Sequence, residues 1–416
     1  MSVEDRVISM GEGLAAIPER LLLAHARGEV LFICGAGISQ PAGLPDFRQL
    51  VLNVYATLDT STHGVLKELP IGACNHWQTN CVGLNNGQTA EVKRFIVGDY
   101  DVVLGMLERR LDGQTHSDSQ VRRTVATILR SGATSPAAIQ KSLIALADRG
   151  SAKAIVTTNF DLLLEAAGQK LKSPLQTYSL GSIPRPSDRP EFSGVFHVHG
   201  VLDNNPARTS ELVLSDQDFG EYYLRRRIVP DFIYDAARLY HLVLVGYSAN
   251  DPPMRYLLNA VAADGNRFKD LKERFTFFGT SSPDPIALAD WNGRGITPIH
   301  YDSANVHDAL RATLDRWAAL SAINGKEKFV DAELRRIVKS SRSTTNESDR
   351  DLFDHLFRRS NASERVRLSE LVSRARAEID WLSAVVNICA EAERGRKPCF
   401  SPGLVLVSKT ARRFER

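Results

Sequence analysis

The chain has 416 residues, 43% hydrophobic and 24% charged, and its 52 Lys and Arg against 49 Asp and Glu leave a net charge of +3. That composition belongs to a globular chain of about two or three domains and excludes a wholly disordered or fibrous one. No run reaches the roughly 18 apolar residues that span a bilayer. Residues Met1 to Met10 mix Glu4, Asp5 and Arg6 and lack the basic-then-apolar order of a secretory leader. The five cysteines (Cys34, Cys74, Cys81, Cys389 and Cys399) are too scattered for a disulfide scaffold, so a cytoplasmic protein is expected.

In chain order, short apolar runs read as buried strands at Val30–Cys34, Ala154–Thr158, Val195–Val198, Leu242–Gly246, Phe275–Gly279 and Ile296–His300. Continuous rather than alternating apolar residues imply a parallel sheet covered on both faces. Helices at Met254–Ala263 and His307–Ala319 alternate with these strands, which predicts an α/β fold with a doubly wound parallel sheet. Residues 50–150 interrupt the alternation. Ala90–Leu111 and Ser119–Leu146 read as helical and Gly64–Gly87 as a polar loop, giving a helical insertion over the carboxyl edge of the sheet. Ser179–Ser193 and Leu202–Leu212 read as loops.

The division expected is a first domain over 1–320 and a helical region over 321–416. The tail predicts helices at Lys326–Ser340, Asp349–Arg359 and, as one long element, Ala362 to about Arg394. Asn361 with Glu364 resembles a capping box. Leu368, Val372, Ala375, Ile379, Leu382, Val386 and Cys389 form a stripe at helical spacing, which either packs on the body or serves an oligomer or partner. Leu404–Val407 reads as a short strand. The tail holds 20 basic and 14 acidic residues, the remainder 32 and 35, an imbalance too small to argue for direct nucleic-acid binding.

Four segments carry chemistry. In Leu31–Arg48 a strand runs into Gly35-Ala36-Gly37 and Ser39; glycines after a strand let the backbone approach a pyrophosphate beside a helix start, although the third glycine, Gly43, departs from the common dinucleotide spacing. In Ala154–Asp161 a strand ends at Asn159 and Asp161, either ligand-facing or capping the helix Leu162–Ala167. In Val195–Gly200, alternation places His197 and His199 on one face. No third metal ligand is signalled there, and His199, before a glycine, is the candidate general base. In Leu242–Asp251 a strand ends at Gly246 and Ser248; Ser248 or Asp251 caps a helix or meets a ribose.

Together these segments resemble the sirtuin family. GAGIS with GLPDFR, TTNFD, VHG and GYSAND each match a family motif, and Leu212–Phe219 resembles the segment after the family's histidine. The resemblance covers about Gly28 to Tyr301. It implies a Rossmann-like sirtuin fold with NAD as substrate. Asn159 would position a water at the ribose and His199 would act as base; Asp161 would hold the nicotinamide carboxamide. Gly35, Ala36, Gly37 and Ser39 would line the pyrophosphate with Asp46 and Arg48, Phe47 would shield the ribose, and Gly246 and Ser248 would meet the adenosine. Sirtuin deacylases carry a four-cysteine zinc module after the His-Gly. Here no cysteine lies between Cys81 and Cys389, and Cys74-Asn75-His76 with Cys81 lacks a fourth ligand, so no metal is expected. The chain therefore looks more like the zinc-free, sirtuin-like effectors of bacterial antiphage defence, which hydrolyse NAD. That similarity implies a homo-oligomer, with a hexameric translocase ATPase or Argonaute-type partner through which any nucleic acid is sensed. The alternatives are a protein deacylase or ADP-ribosyltransferase, and a subunit that binds NAD or ADP-ribose without catalysis.

Overall fold

The computed structural model describes residues 6–70, 81–113, 119–132, 135–169, 174–203, 211–247, 270–282 and 284–394. The sequence-predicted helix Met254–Ala263, the strand Leu404–Val407, and residues Ser248 and Asp251 lie outside them, as does part of the Gly64–Gly87 loop. A hairpin, β1 (Val7–Ser9) with β2 (Ala16–Pro18), precedes α1 (Glu19–Ala26) and β3 (Val30–Cys34). The insertion follows as α2 (Phe47–Leu58), α3 (Thr60–Leu66), α4 (Asn86–Ile96), α5 (Tyr100–Asp112), α6 (Gln120–Arg130) and α7 (Ala138–Leu146). Then come β4 (Ala154–Thr157), α8 (Leu163–Gly168), β5 (Thr177–Ser179), β6 (Gly194–His197), α9 (Asp216–Phe219), α10 (Ile228–Leu239), β7 (His241–Val245), β8 (Arg274–Thr280) and β9 (Thr297–Asp302). Five further helices occupy Ala304–Leu320, Glu327–Ile337, Glu347–Arg359, Ala362–Arg374 and Ile379–Arg394.

The sheet has seven strands in the order β5-β6-β4-β3-β7-β8-β9, and β3/β4, β4/β6, β5/β6 and β7/β8 pair in parallel. From β3 the chain moves one way to β4 and the edge strand β5, places β6 between those two, then crosses to β7 on the other side of β3. The order reverses between β3 and β7, where doubly wound sheets bind ligands at their carboxyl edge. All five residues of β3 and all four of β4 and of β6 are buried, as the unbroken apolar runs require. On one face Leu31, Ile33, Ala154, Val156, Phe196, Leu242 and Leu244 pack with Val229, Phe232, Ile233 and Ala236 of α10. A second core lies in the insertion, where Leu50, Val54, Tyr55, Val92, Phe95, Leu104 and Val121 gather with Leu202, Leu212 and Leu214 from beyond β6. Phe160, from the turn after β4, packs on it, so the insertion rests on the loops that leave the sheet's carboxyl edge.

Two compact units emerge: residues 31–147 with 151–298, and residues 1–30 with 148–150 and 299–416. The division falls inside β3 and β9. The second unit is tied by Glu19, fully buried at the start of α1. It accepts from Arg358 Nε at 2.8 Å and His355 Nδ1 at 3.1 Å, and Arg6 lies 3.5 Å away. Burial would raise this carboxyl's pKa, but the two donors outweigh it and hold the group below its ordinary value.

Three predicted helices are broken. Ala90–Leu111 divides at Gly98, whose φ of +82° closes α4. Ser119–Leu146 divides between Arg130 and Ala138, around Gly132 and Pro136. The long tail helix divides after Arg374, with Arg376 left-handed at φ +56°. That break rotates the stripe: Leu368 and Val372 are buried, but beyond it Trp381, Val385 and Ile388 point inward while Ile379 and Val386 are 68% and 42% exposed. Asn361 caps its helix through Glu364 N at 2.9 Å, while the Glu364 carboxylate pairs with Arg359 at 3.3 Å. β5 lies just before and at the start of a stretch read as loop.

Candidate functional site

At the β3/β7 reversal three glycines meet. Gly35 N donates to Val245 O at 2.9 Å and Gly37 N to Gly246 O at 3.0 Å. A Cβ on Gly35 would lie 2.7 Å from Gly246 O, and one on Gly246, at φ +74°, 2.7 Å from Ile38 N. No larger residue fits these approaches. The glycines assigned by sequence to a pyrophosphate thus first let the two loops pack backbone against backbone. Buried Gln140 of α7 braces the turn by donating to Ile38 O at 2.6 Å. Tyr247, next to Gly246, places its hydroxyl 3.0 Å from Thr158 Oγ1.

Beside this turn stands a chain of polar side chains. Asn159, 9% exposed, donates through Nδ2 to Gly35 O at 3.0 Å and to Ser39 Oγ at 2.9 Å. A carbonyl can only accept, which fixes the amide's orientation; Asn159 Oδ1 is left with no partner among the described residues. Ser39 Oγ donates in turn to Asp161 Oδ2 at 2.8 Å. Asp161 Oδ1 accepts from Leu163 N, the first residue of α8, at 3.0 Å. Burial pushes the Asp161 carboxyl up in pKa, against the Ser39 and Leu163 donors. Burial, with Asp161's charge, also raises the Cys34 thiol beneath.

The two histidines part company. β6 ends at His197, which pairs in register with Thr157, so Asn159 and His199 each lie two residues past a matched pair on adjacent strands. His197 is fully buried, with Nδ1 2.8 Å from Asn159 O and Nε2 2.9 Å from Glu165 Oε1. His199 lies in the turn beyond, 6% exposed, with Nε2 2.6 Å from the Tyr223 hydroxyl and its ring edge-on to Phe219. The strand stops at His197, and the two rings have different hydrogen-bond partners. Burial pushes the His199 imidazole down to about 3. Asn159 and His199 likewise have separate hydrogen-bond partners, and it is His197 that touches Asn159.

The segment after His199 is clamped by the insertion. Val213 N donates to His199 O at 2.8 Å. Arg122, 3% exposed, reaches Glu108 Oε1 at 3.1 Å, Leu212 O at 2.8 Å and Asp218 Oδ2 at 2.6 Å. Arg109 forks onto Asp216 at 3.1 and 3.3 Å. Asp216 and Asp218 begin the turn leading to Tyr223, which lies in a π-helical stretch, Gly220–Arg225. Sequence reasoning missed Tyr223, Glu165 and Gln140. Nothing in the spacing marks Tyr223 or Gln140; Glu165, one helical turn past Asp161, was the one legible hint.

The GLPDFR residues begin α2. Asp46 accepts from Gln49 N at 2.7 Å as its cap. Phe47 packs edge-on to Tyr100 at 6.0 Å. Arg48 donates to Leu69 O at 2.7 Å and lies 5.2 Å over Phe95. All three are engaged in holding the insertion. Ala36 lies in the turn after Gly35, and Ser248 lies outside the described residues. Among the described residues no three His, Cys, Asp or Glu are grouped to hold a metal, and no helix is long and apolar enough to cross a membrane.

Residues 153–299 match the family model described as a SIR2-like domain. An uncharacterized protein of Sinorhizobium fredii (strain NBRC 101917 / NGR234), y4cA, is 33% identical over 312 residues, covering 73% of this chain and 24% of its own. The chain thus spans about a quarter of that relative's length. A solved structure described as "Structural Basis for the Mechanism and Regulation of Sir2 Enzymes" is 15% identical and aligns over 73% of this chain and 97% of its own, with a TM-score of 0.35. The stretch that carries Asn159, Asp161, His197 and His199 is similar, by its sequence, to SIR2-like domains.

Proposed function

We propose that the chain binds NAD at the β3/β7 reversal and hydrolyses the nicotinamide–ribose bond, giving nicotinamide and ADP-ribose. The observation that carries the reading is the Ser39–Asn159–Asp161 cluster at the sheet's carboxyl edge, with Asn159 Oδ1 unengaged beside the glycine turn. The SIR2-like match over 153–299 supports it. The chemistry asks little of an acid. Nicotinamide leaves as a neutral ring from a cationic one, so nothing need protonate it. Positive charge grows on the ribose, which a half-buried carboxylate such as Asp161 would stabilise, and a water must be held for attack, for which Asn159 Oδ1 is the available acceptor.

A water captured by a cationic carbon is a strong acid, so the weak base His199 suffices. Above about pH 4 its imidazole is neutral and can accept a proton. The Tyr223 hydroxyl holds Nε2, so the proton passes through that hydroxyl or after it turns aside. By the same resemblance we propose that NAD loss serves antiphage defence in the cytoplasm, in a homo-oligomer paired with an ATPase or Argonaute-type protein. The test is to incubate purified chain with NAD, with and without an acetylated peptide. Equal amounts of nicotinamide and ADP-ribose without peptide are expected. Turnover only with peptide, yielding O-acetylated product, would contradict hydrolysis, and NAD binding with no turnover under any activator would favour the non-catalytic alternative.

A further inference from the structure

We propose that His197, held by Glu165 as a doubly protonated imidazolium, is the positioning residue that fixes Asn159; for its kinetic consequence this rests on the reading above. Nδ1 faces the Asn159 carbonyl at 2.8 Å, which has no proton to give, so Nδ1 must donate. Nε2 faces Glu165 Oε1 at 2.9 Å, and that oxygen already accepts from Thr177 Oγ1 at 2.9 Å. A carboxylate so placed takes a second donor, and the ring carries protons on both nitrogens.

The groups form one chain across neighbouring elements: Thr177 on β5, Glu165 on α8, His197 on β6, and the main chain after β4. At its end the Asn159 peptide is gripped twice, its carbonyl by His197 and its N–H by Thr157 Oγ1 at 3.0 Å. The side-chain amide is anchored separately toward β3 by Gly35 and Ser39. Asn159 Oδ1 therefore has no freedom left. A buried ion pair is a poor way to gain stability, since apolar residues of equal volume serve as well. This one also leaves Glu165 Oε2 buried without a partner among the described residues. Burial alone would discharge His197, yet Glu165, the Asn159 carbonyl and the more distant Asp161 charge prevail and raise its pKa.

The test has two arms. In ¹⁵N-histidine-labelled full chain, with the His197 signals assigned by their loss in His197→Phe, both ring nitrogens are expected to be protonated at pH 7. A bare ring nitrogen at that pH would overturn the proposal whatever the enzyme does. In the second arm, His197→Phe/Glu165→Leu leaves no unpaired charge and so should fold. Its kcat is expected to fall about 10²-fold, as for an angstrom-scale misplacement, with KM for NAD within about threefold. His197→Asn/Glu165→Leu, which keeps an N–H at the Nδ1 position, is expected to recover at least about tenfold of that loss. A folded His197→Phe/Glu165→Leu variant at the parent rate, or no difference between it and His197→Asn/Glu165→Leu, would overturn the proposal.

Discussion

Replacing His199 with glutamine should flatten the acid side of the stability curve. In the folded chain burial holds this imidazole at about 3, whereas the ordinary value is 6.5. Both states are neutral above pH 6.5, so His199 then contributes nothing to pH dependence. Below 6.5 the unfolded chain takes up a proton that the folded chain refuses, so stability is lost as pH falls toward 3. Each tenfold change in proton affinity is worth about 1.36 kcal/mol, so descending from pH 7.5 to pH 5 costs about 2 kcal/mol through His199 alone. Glutamine keeps an acceptor for the Tyr223 hydroxyl but does not titrate. His197, whose folded pKa is raised, contributes with the opposite sign, and equally in both proteins, so it cancels in the difference. Urea unfolding of parent and His199→Gln at pH 7.5, 6.5, 5.5 and 5 reads this directly. The parent should lose about 2 kcal/mol more than the variant over that range. Parallel curves would show that His199 titrates normally, and the argument that the base is neutral and stoppered by Tyr223 would fail.

Two further outcomes follow from the same contacts. Gly246→Ala forces a left-handed residue at φ +74° and sets a Cβ 2.7 Å from Ile38 N. A loss of about 2 kcal/mol or more is expected by thermal unfolding, with weakened NAD binding by calorimetry; a stable variant with parent affinity would remove the glycine contact from the account. Arg122→Ala strands the buried Glu108 carboxylate and takes one donor from the half-buried Asp218, which keeps Leu214 N and Ser215, and about 3 kcal/mol is expected. A change under about 1 kcal/mol would mean the clamp on the segment after His199 is slack.

The parallel core was legible because its strands are unbroken apolar runs, and β3, β4, β6, β7 and β8 lie within a residue or so of where those runs predict them. Helix breaks were less legible. Gly98 marks one; Arg374–Glu378 consists of good helix formers, yet Arg376 turns left-handed there and Trp381 beyond it is fully buried. At the site, the strand ends announced Ser39, Asn159 and Asp161, and the structure joins them in one hydrogen-bonded chain. The two histidines were read from strand alternation alone, whereas β6 ends at His197 and His199 lies in the turn beyond it. What surrounds them, Glu165 from the helix after β4 and Tyr223 from a π-helical turn 24 residues past His199, is set by tertiary packing, and only Glu165, one helical turn past Asp161, left a local hint.

The proposed reaction puts the amide of Asn159 at the nicotinamide–ribose bond. Its most direct measurement is nicotinamide release from NAD by equal concentrations of parent and Asn159→Ala, both folded by circular dichroism. Loss of Oδ1 removes the acceptor that would hold the attacking water, and turnover should fall by about 10²–10³-fold. Release at the parent rate by Asn159→Ala would contradict the account.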